Sequence, residues 1–232
     1  MVVREEAADP SRQVAVQLPD ALEAVLALGD AELREVDAFA VATGPGSFTG
    51  LRIGIATMQG LAFAGEKPLI GISALTALSA VASPAFLGSR IAAWIDAWRG
   101  DVYAATYEDG RAAGEPVVAH PEDLLRDLSR PPSPPGGLGA PGTMTAANDI
   151  LFIGDGAETY RDMIRARLGH AARFAEPSSP LLAGIIAVLA TIEYRNGHRP
   201  PPHAIRPLYV RRPDPELARE KGRLKPVPAY DK

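Results

Sequence analysis

Apolar residues recur at helical spacing near the start of the chain. Val14, Leu18, Ala21, Leu22, Val25 and Leu28 fall on one stripe and predict an amphipathic helix over 14–28, with Pro19 marking a kink or a later start. An apolar run at 38–42 leads into Thr43-Gly44-Pro45-Gly46-Ser47-Phe48-Thr49-Gly50-Leu51-Arg52, and a run of small and apolar residues at 53–64 follows. That succession predicts a strand over 37–43, a glycine turn and a helix over 49–64. A short strand over 68–72 comes next, then a helix to Ala82 capped by Ser73.

The second half opens with apolar residues at 90–97 and turns at Trp98-Arg99-Gly100. It returns over 101–107, and Asp109-Gly110 then gives a hairpin signal ahead of a third strand at 115–119. Pro121 suits the first turn of a helix reaching Leu128. Residues 129–148 are rich in Pro, Gly, Ser and Ala and read as a disordered surface loop. A strand over 149–153 enters Gly154-Asp155-Gly156 and a helix to Leu168, followed by a short strand near Arg173 and a helix over 179–194.

Both halves share the order strand, glycine turn, helix, but the three opening strands of the second half have no counterpart in the first. The pattern predicts an α/β fold of two tandem ribonuclease H-like lobes, the first lacking its opening β-hairpin. The expected divisions are a first lobe over 1–88, a second over 89–195 and a Pro-rich basic tail over 196–232. Two parallel strands alone leave an open sheet edge, so poor order or a covering partner chain is expected there.

Composition narrows the function classes. The 232 residues are 47% hydrophobic and 22% charged, ordinary for a globular protein. Cysteine is absent, which removes disulfides and thiolate metal sites and fits a cytoplasmic location. No apolar run reaches the ~18 residues of a membrane span, and the first residues lack a signal-peptide core, so no membrane association is expected. Net charge is −4, yet residues 195–232 carry +6, leaving −10 on the body. A basic tail on an acidic body is either a solvated tail or a contact for a polyanionic or acidic partner.

The glycine turn is the main candidate for chemistry. Gly44 and Gly46 open backbone angles closed to other residues, Pro45 fixes its own φ, and Ser47 or Thr49 can cap the following helix. Free N–H groups at such a helix start can hold an anion, or the turn can serve only to pack helix on strand. No Gly-Lys-Ser/Thr follows, and glycines at 44, 46 and 50 do not make the dinucleotide fingerprint. Gly46-Ser47-Phe48 is not a nucleophile elbow. Asp96, Asp101 and Asp155 sit at strand ends, where they can hold Mg²⁺ for phosphoryl transfer or simply shape turns. His120, His170, His198 and His203 lack metal-ligand spacing, so no metal and no cofactor are expected. The helix after the turn carries Gly50, Gly54, Thr57 and Gly60 near one side, with Met58 and Leu61 adjacent. Small residues there permit close approach by another helix, from within the lobe or from a partner.

Gly44-Pro45-Gly46-Ser47-Phe48-Thr49-Gly50-Leu51-Arg52-Ile53-Gly54 resembles the signature of the TsaB (YeaZ) family, the dimerisation subunits of the bacterial tRNA threonylcarbamoyladenosine machinery. Ile95-Asp96-Ala97-Trp98-Arg99-Gly100-Asp101-Val102-Tyr103 is similar to the family's hairpin, with Trp98 replacing an arginine. Gly154-Asp155-Gly156-Ala157 and Pro207-Leu208-Tyr209-Val210-Arg211 resemble two further blocks. Gln13 stands where members commonly have histidine, and the family's opening Ile-Asp-Thr strand has no match before Arg4, a difference of roughly thirty residues judged from strand and turn lengths. The resemblance implies lobes of the actin-like ATPase type, without the opening hairpin that is a phosphate loop in such ATPases and without the His-x-x-x-His pair of the catalytic relatives.

It also implies a non-catalytic scaffold that pairs through its first-lobe helices. Leu18, Leu22 and Val25 would serve from the first helix, and Gly50, Gly54, Thr57, Met58 and Leu61 from the second. The implied partners are a TsaD-type catalytic subunit, a TsaE-type ATPase, a second copy of the chain and, indirectly, tRNA, which the basic tail would help to hold. An ATP-dependent phosphotransferase and a metalloprotease-like glycopeptidase are the alternative readings.

Overall fold

The computed structural model describes residues 5, 14–82, 90–129 and 149–211. Most of the expected loop at 129–148, the tail beyond Arg211, and Gln13 lie outside the described residues.

The elements run α1 (Val14–Leu28), β1 (Phe39–Gly44), α2 (Phe48–Ala64), β2 (Leu69–Ser73) and α3 (Ala74–Ala82), then β3 (Arg90–Asp96), β4 (Val102–Glu108), β5 (Arg111–Ala112) and β6 (Val117–Ala119). After these come α4 (Pro121–Leu128), β7 (Ile150–Ile153), α5 (Asp155–Thr159), α6 (Arg161–Leu168), β8 (Ala172–Phe174) and α7 (Ala183–Arg195). The first sheet is the parallel pair β1–β2, with Phe39 opposite Leu69. The second has six strands in the order β5-β4-β3-β7-β8, with β6 also on β4. Its β3–β4 pair is antiparallel, and β3–β7 and β7–β8 are parallel.

Three details depart from the sequence expectation. Ser73 ends β2 instead of capping α3, and its buried Oγ has no hydrogen-bond partner among the described residues. The helix after Gly154 is two helices, α5 and α6, broken at Tyr160, whose φ of −107° and ψ of 19° leave the helical region. The last helix starts at Ala183, just past Pro180, Leu181 and Leu182.

The second-lobe core has two layers. On one face of the sheet, Ile91, Ala93, Leu151 and Ile153 pack against Leu75, Leu78 and Ala82 of α3. On the other, Ala92, Trp94, Val102 and Phe152 pack against Leu125 of α4 and Ile164 of α6. A strand covered on both faces has no polar alternation, which is why β3 and β7 read as continuous apolar runs. α7 reciprocates α3: Ile186 and Ala190 pack with Ile70 and Ile72 of the first lobe. The last helix of each lobe therefore covers the sheet of the other, and burial of these apolar faces holds the lobes together.

Gly154 shows how tightly the βα turn of the second lobe is drawn in. Its φ is +111°, and an added Cβ would lie 2.0 Å from the Trp94 carbonyl oxygen. Only glycine fits both conditions.

A shared corner at the strand ends

The four sequence blocks singled out above meet at the carboxyl ends of the central strands. At the first, Ser47 Oγ accepts a hydrogen bond from Gly50 N–H at 3.3 Å and caps α2. Thr49, the other cap candidate, lies exposed in the first turn. Gly44 has φ +105°, and an added Cβ would meet Leu51 Cδ1 at 2.8 Å. The Gly44–Pro45 peptide is cis, and both residues are buried.

The segment after α7 crosses this turn as a strap. Gln59 Nε2 donates to the carbonyls of Pro202 and Ile205 at 2.9 and 3.1 Å. Leu208 N–H donates to the Thr43 carbonyl at 2.7 Å. Arg52 Nε donates to the Tyr209 hydroxyl at 2.8 Å, while its guanidinium lies 3.8 Å above the Phe48 ring. The strap reaches the other lobe, where Arg211 donates to the Ala97 carbonyl at 2.9 Å and pairs with the Asp101 carboxylate.

The three acidic candidates are engaged in shaping this corner. Asp96 Oδ1 accepts from Trp98 N–H at 2.9 Å, holding the β3–β4 turn. Asp155 Oδ1 accepts from the N–H groups of Asp96 and Gly156 at 3.0 and 2.8 Å, tying the two turns together. Asp101 takes Arg211. Burial raises the pKa of the nearby Tyr160 hydroxyl, and the negative charges of Asp96 and Asp101 add to the rise. Among the described residues no group of three or more His, Asp or Glu is placed to hold a metal ion. Also among them, no helix is long and apolar enough to cross a membrane.

The candidate pairing residues separate into two sets. Met58 is buried with Phe39, Ala62 and Leu69, and Leu22 and Leu61 pack on that cluster. Leu18, Leu22, Val25, Gly54, Met58 and Leu61 all line one apolar groove of about 960 Å³ between α1, α2, the edge of β1 and α7. Met58 is buried there, and the other five are half-buried along the groove. Gly50 sits against Ser47, and Thr57 is half-buried. The outward stripe of α2 is instead Arg52, Ala56, Gly60 and Phe63, with Phe63 78% exposed. Helical geometry gives the reason: at about 100° per residue, positions 52, 56, 60 and 63 share one side, turned roughly 120° from the centre of Ile55, Met58 and Ala62. Tyr209 and Gln59 were not singled out from sequence as site residues, although Tyr209 lies in a recognisable block; their roles depend on contacts 157 and 143 residues away.

Two tandem α/β lobes with exchanged covering helices, each with a glycine turn between strand and helix, define a ribonuclease H-like, actin-like class. A family model described as TsaD, tRNA N6-adenosine threonylcarbamoyltransferase, matches residues 5–222. The tRNA threonylcarbamoyladenosine biosynthesis protein TsaB of Escherichia coli is 42% identical over 98 residues, 41% of this chain and 42% of that protein. An uncharacterized protein of Mycobacterium tuberculosis is 31% identical over 194 residues, 81% of this chain and 71% of its own. The YeaZ structure from Pseudomonas aeruginosa superposes with a TM-score of 0.63 at 29% identity, covering 84% of this chain and 85% of that one. A second structure from that organism, described as an uncharacterized protein with similarity to peptidase YEAZ, gives 0.66 at 30% identity over 86% and 85%. The chain belongs to the TsaB/YeaZ family. Its matched region spans less than half the length of the first curated relatives, 42% in Escherichia coli and 35% in Haemophilus influenzae.

Proposed function

We propose that the chain is a non-catalytic scaffold subunit of tRNA threonylcarbamoyladenosine biosynthesis. It pairs with a TsaD-type catalytic subunit, works with a TsaE-type ATPase and meets tRNA indirectly, in the cytoplasm. One observation carries the reading. The acidic side chains at the strand ends are committed to turn geometry and to Arg211, while α2 offers an outward stripe of small residues ending in the exposed Phe63. The first arrangement favours structure over catalysis, and the second is a surface on which another helix can pack closely. The same stripe can serve a second copy of the chain. Leu18, Leu22, Val25, Gly50, Gly54, Thr57, Met58 and Leu61 stay proposed as pairing residues, and Ala56, Gly60 and Phe63 of the outward stripe join them.

Reconstitution tests the proposal. Purified chain, a TsaD-type subunit, a TsaE-type ATPase and an enzyme supplying threonylcarbamoyl-AMP are incubated with tRNA, and the modified nucleoside is quantified after digestion. Modification that needs this chain, with none from the chain alone, is the expected result. Modification by this chain without the TsaD-type subunit would overturn it.

A further inference from the structure

The outward side of α2 lies between two segments of opposite charge. Leu61 packs with Leu22 of α1 on the Met58 cluster, while Gln59 holds the strap through the carbonyls of Pro202 and Ile205. At about 100° per residue, positions 59 and 61 are roughly 160° apart round the helix, so α1 and the strap flank α2 on opposite sides. Ala56, Gly60 and Phe63 are exposed between them. On the α1 side, residues 14–38 carry six acidic side chains, Glu23 among them, against Arg34 alone, a net charge of −5, and all seven are exposed. On the strap side, residues 199–211 carry Arg199, Arg206 and Arg211 and no acidic residue, a net charge of +3. Arg52 of α2 joins this edge through its bond with Tyr209. Arg211 has Asp101 as its partner. Arg52, Arg199 and Arg206 are exposed and have no carboxylate partner among the described residues.

We propose, resting on the reading of α2 as the pairing helix, that the partner seated on this face is a different subunit of matching polarity. It carries acidic side chains along the edge that meets the strap and basic ones along the edge that meets α1. Arg52 is the best-placed receptor. Its Nε donates to the Tyr209 hydroxyl and its plane lies over the Phe48 ring, so the side chain is held. Its two terminal nitrogens have no partner among the described residues and present a fork that matches a carboxylate. Arg206 is held as well, by one terminal nitrogen that donates to the carbonyls of His203 and Ile205. Cations already fixed by neutral partners lose little freedom on meeting an anion. The small, apolar stripe supplies the contact and the charged edges supply its orientation. A second copy with its α2 antiparallel to the first would set strap against strap and α1 against α1, like charge on like, which favours a different chain. An RNA backbone would match the strap and be repelled by the α1 edge, which favours a protein.

The test is the association rate of a TsaD-type subunit with the full-length chain, followed by stopped-flow fluorescence. Between about 50 and about 500 mM salt the rate is expected to fall by on the order of tenfold, because screening weakens steering between the edges. Arg206→Glu and Glu23→Lys change the chain's charge equally and in opposite directions, and each should slow association about two- to fivefold at low salt. Only a two-edged partner gives that result, since one drawn by net charge would slow for one variant and quicken for the other. Both side chains are exposed, and melting temperatures check that the variants fold. Arg199→Glu reads the same edge should Arg206→Glu unfold. A salt-independent rate, opposite signs for the two variants, or no change in either while Phe63→Glu still disrupts binding would overturn the proposed polarity and leave the pairing helix standing. Loss of tRNA retention by Arg206→Glu with an unchanged rate for the subunit would do the same and assign the strap to RNA. No association by the unaltered chain would overturn both.

Discussion

Arg52 and Tyr209 are 157 residues apart in sequence, and their side chains meet at 2.8 Å. The contact joins the first turn of α2 to the strap that follows the last helix, and Phe48 completes it with its ring 5.4 Å from that of Tyr209. Two residues further along, Arg211 fastens the same strap to the other lobe. The strap is a brace across both lobes, and its worth can be measured piece by piece.

Tyr209→Phe keeps the ring and removes the hydroxyl acceptor. A charge-assisted bond at a partly exposed site is expected to cost about 1 kcal/mol, and Tyr209→Ala more, through lost contact with Phe48. Urea denaturation of Tyr209→Phe, Arg52→Ala and the double variant should show coupling of about 0.5–1.5 kcal/mol. Strict additivity would mean that the contact contributes nothing.

Ser47→Ala should lose the cap on α2 at a cost of about 0.5–2 kcal/mol, and Ser47→Asp should restore most of it, since either oxygen can accept from Gly50 N–H. Thr49→Ala is the control and should change stability by less than about 0.5 kcal/mol, because Thr49 is exposed and does not cap the helix.

Gly154→Ala is predicted to be severe. The new methyl would lie 2.0 Å from the Trp94 carbonyl oxygen in a residue whose φ is +111°. A loss above about 4 kcal/mol or failure to fold is expected. Gly110→Ala is strained by its φ of +75° alone, with open space around it, and should cost about 1–2 kcal/mol. Thermal melts of the two variants would rank them.

Tyr107 links alkaline stability to the core. Burial raises the pKa of its hydroxyl above the ordinary 10.0, and the bond with Thr76 offsets only part of that rise. The folded state therefore holds this proton more tightly than the unfolded chain. The contribution is fully present below pH ~10 and is lost as pH rises from there toward the folded-state value. Melting temperature should fall across that window, and Tyr107→Phe should make the decline shallower.

Much of the fold is legible in local pattern. The succession of apolar run, glycine turn and small-residue helix sets β1 and α2, and Asp109-Gly110 adopts the positive φ angles of a tight hairpin turn. The strap is not legible in this way. Residues 196–211 have no periodicity, and they are placed by distant partners such as Thr43 and Gln59. Which side of α2 faces out was also hidden. Its residues are small and apolar nearly all round, so Met58 and Phe63 look equivalent in sequence and only the packing of Phe39 and Leu69 separates them.

The proposed function depends most directly on pairing through the outward stripe of α2. Calorimetric titration of a TsaD-type subunit into the chain and into its Phe63→Glu variant measures this. Because Phe63 is 78% exposed, the variant should keep its melting temperature, yet a charge buried in the interface should weaken binding by at least about tenfold. Undiminished affinity in a folded Phe63→Glu variant, or no affinity of the unaltered chain for the catalytic subunit, would contradict it.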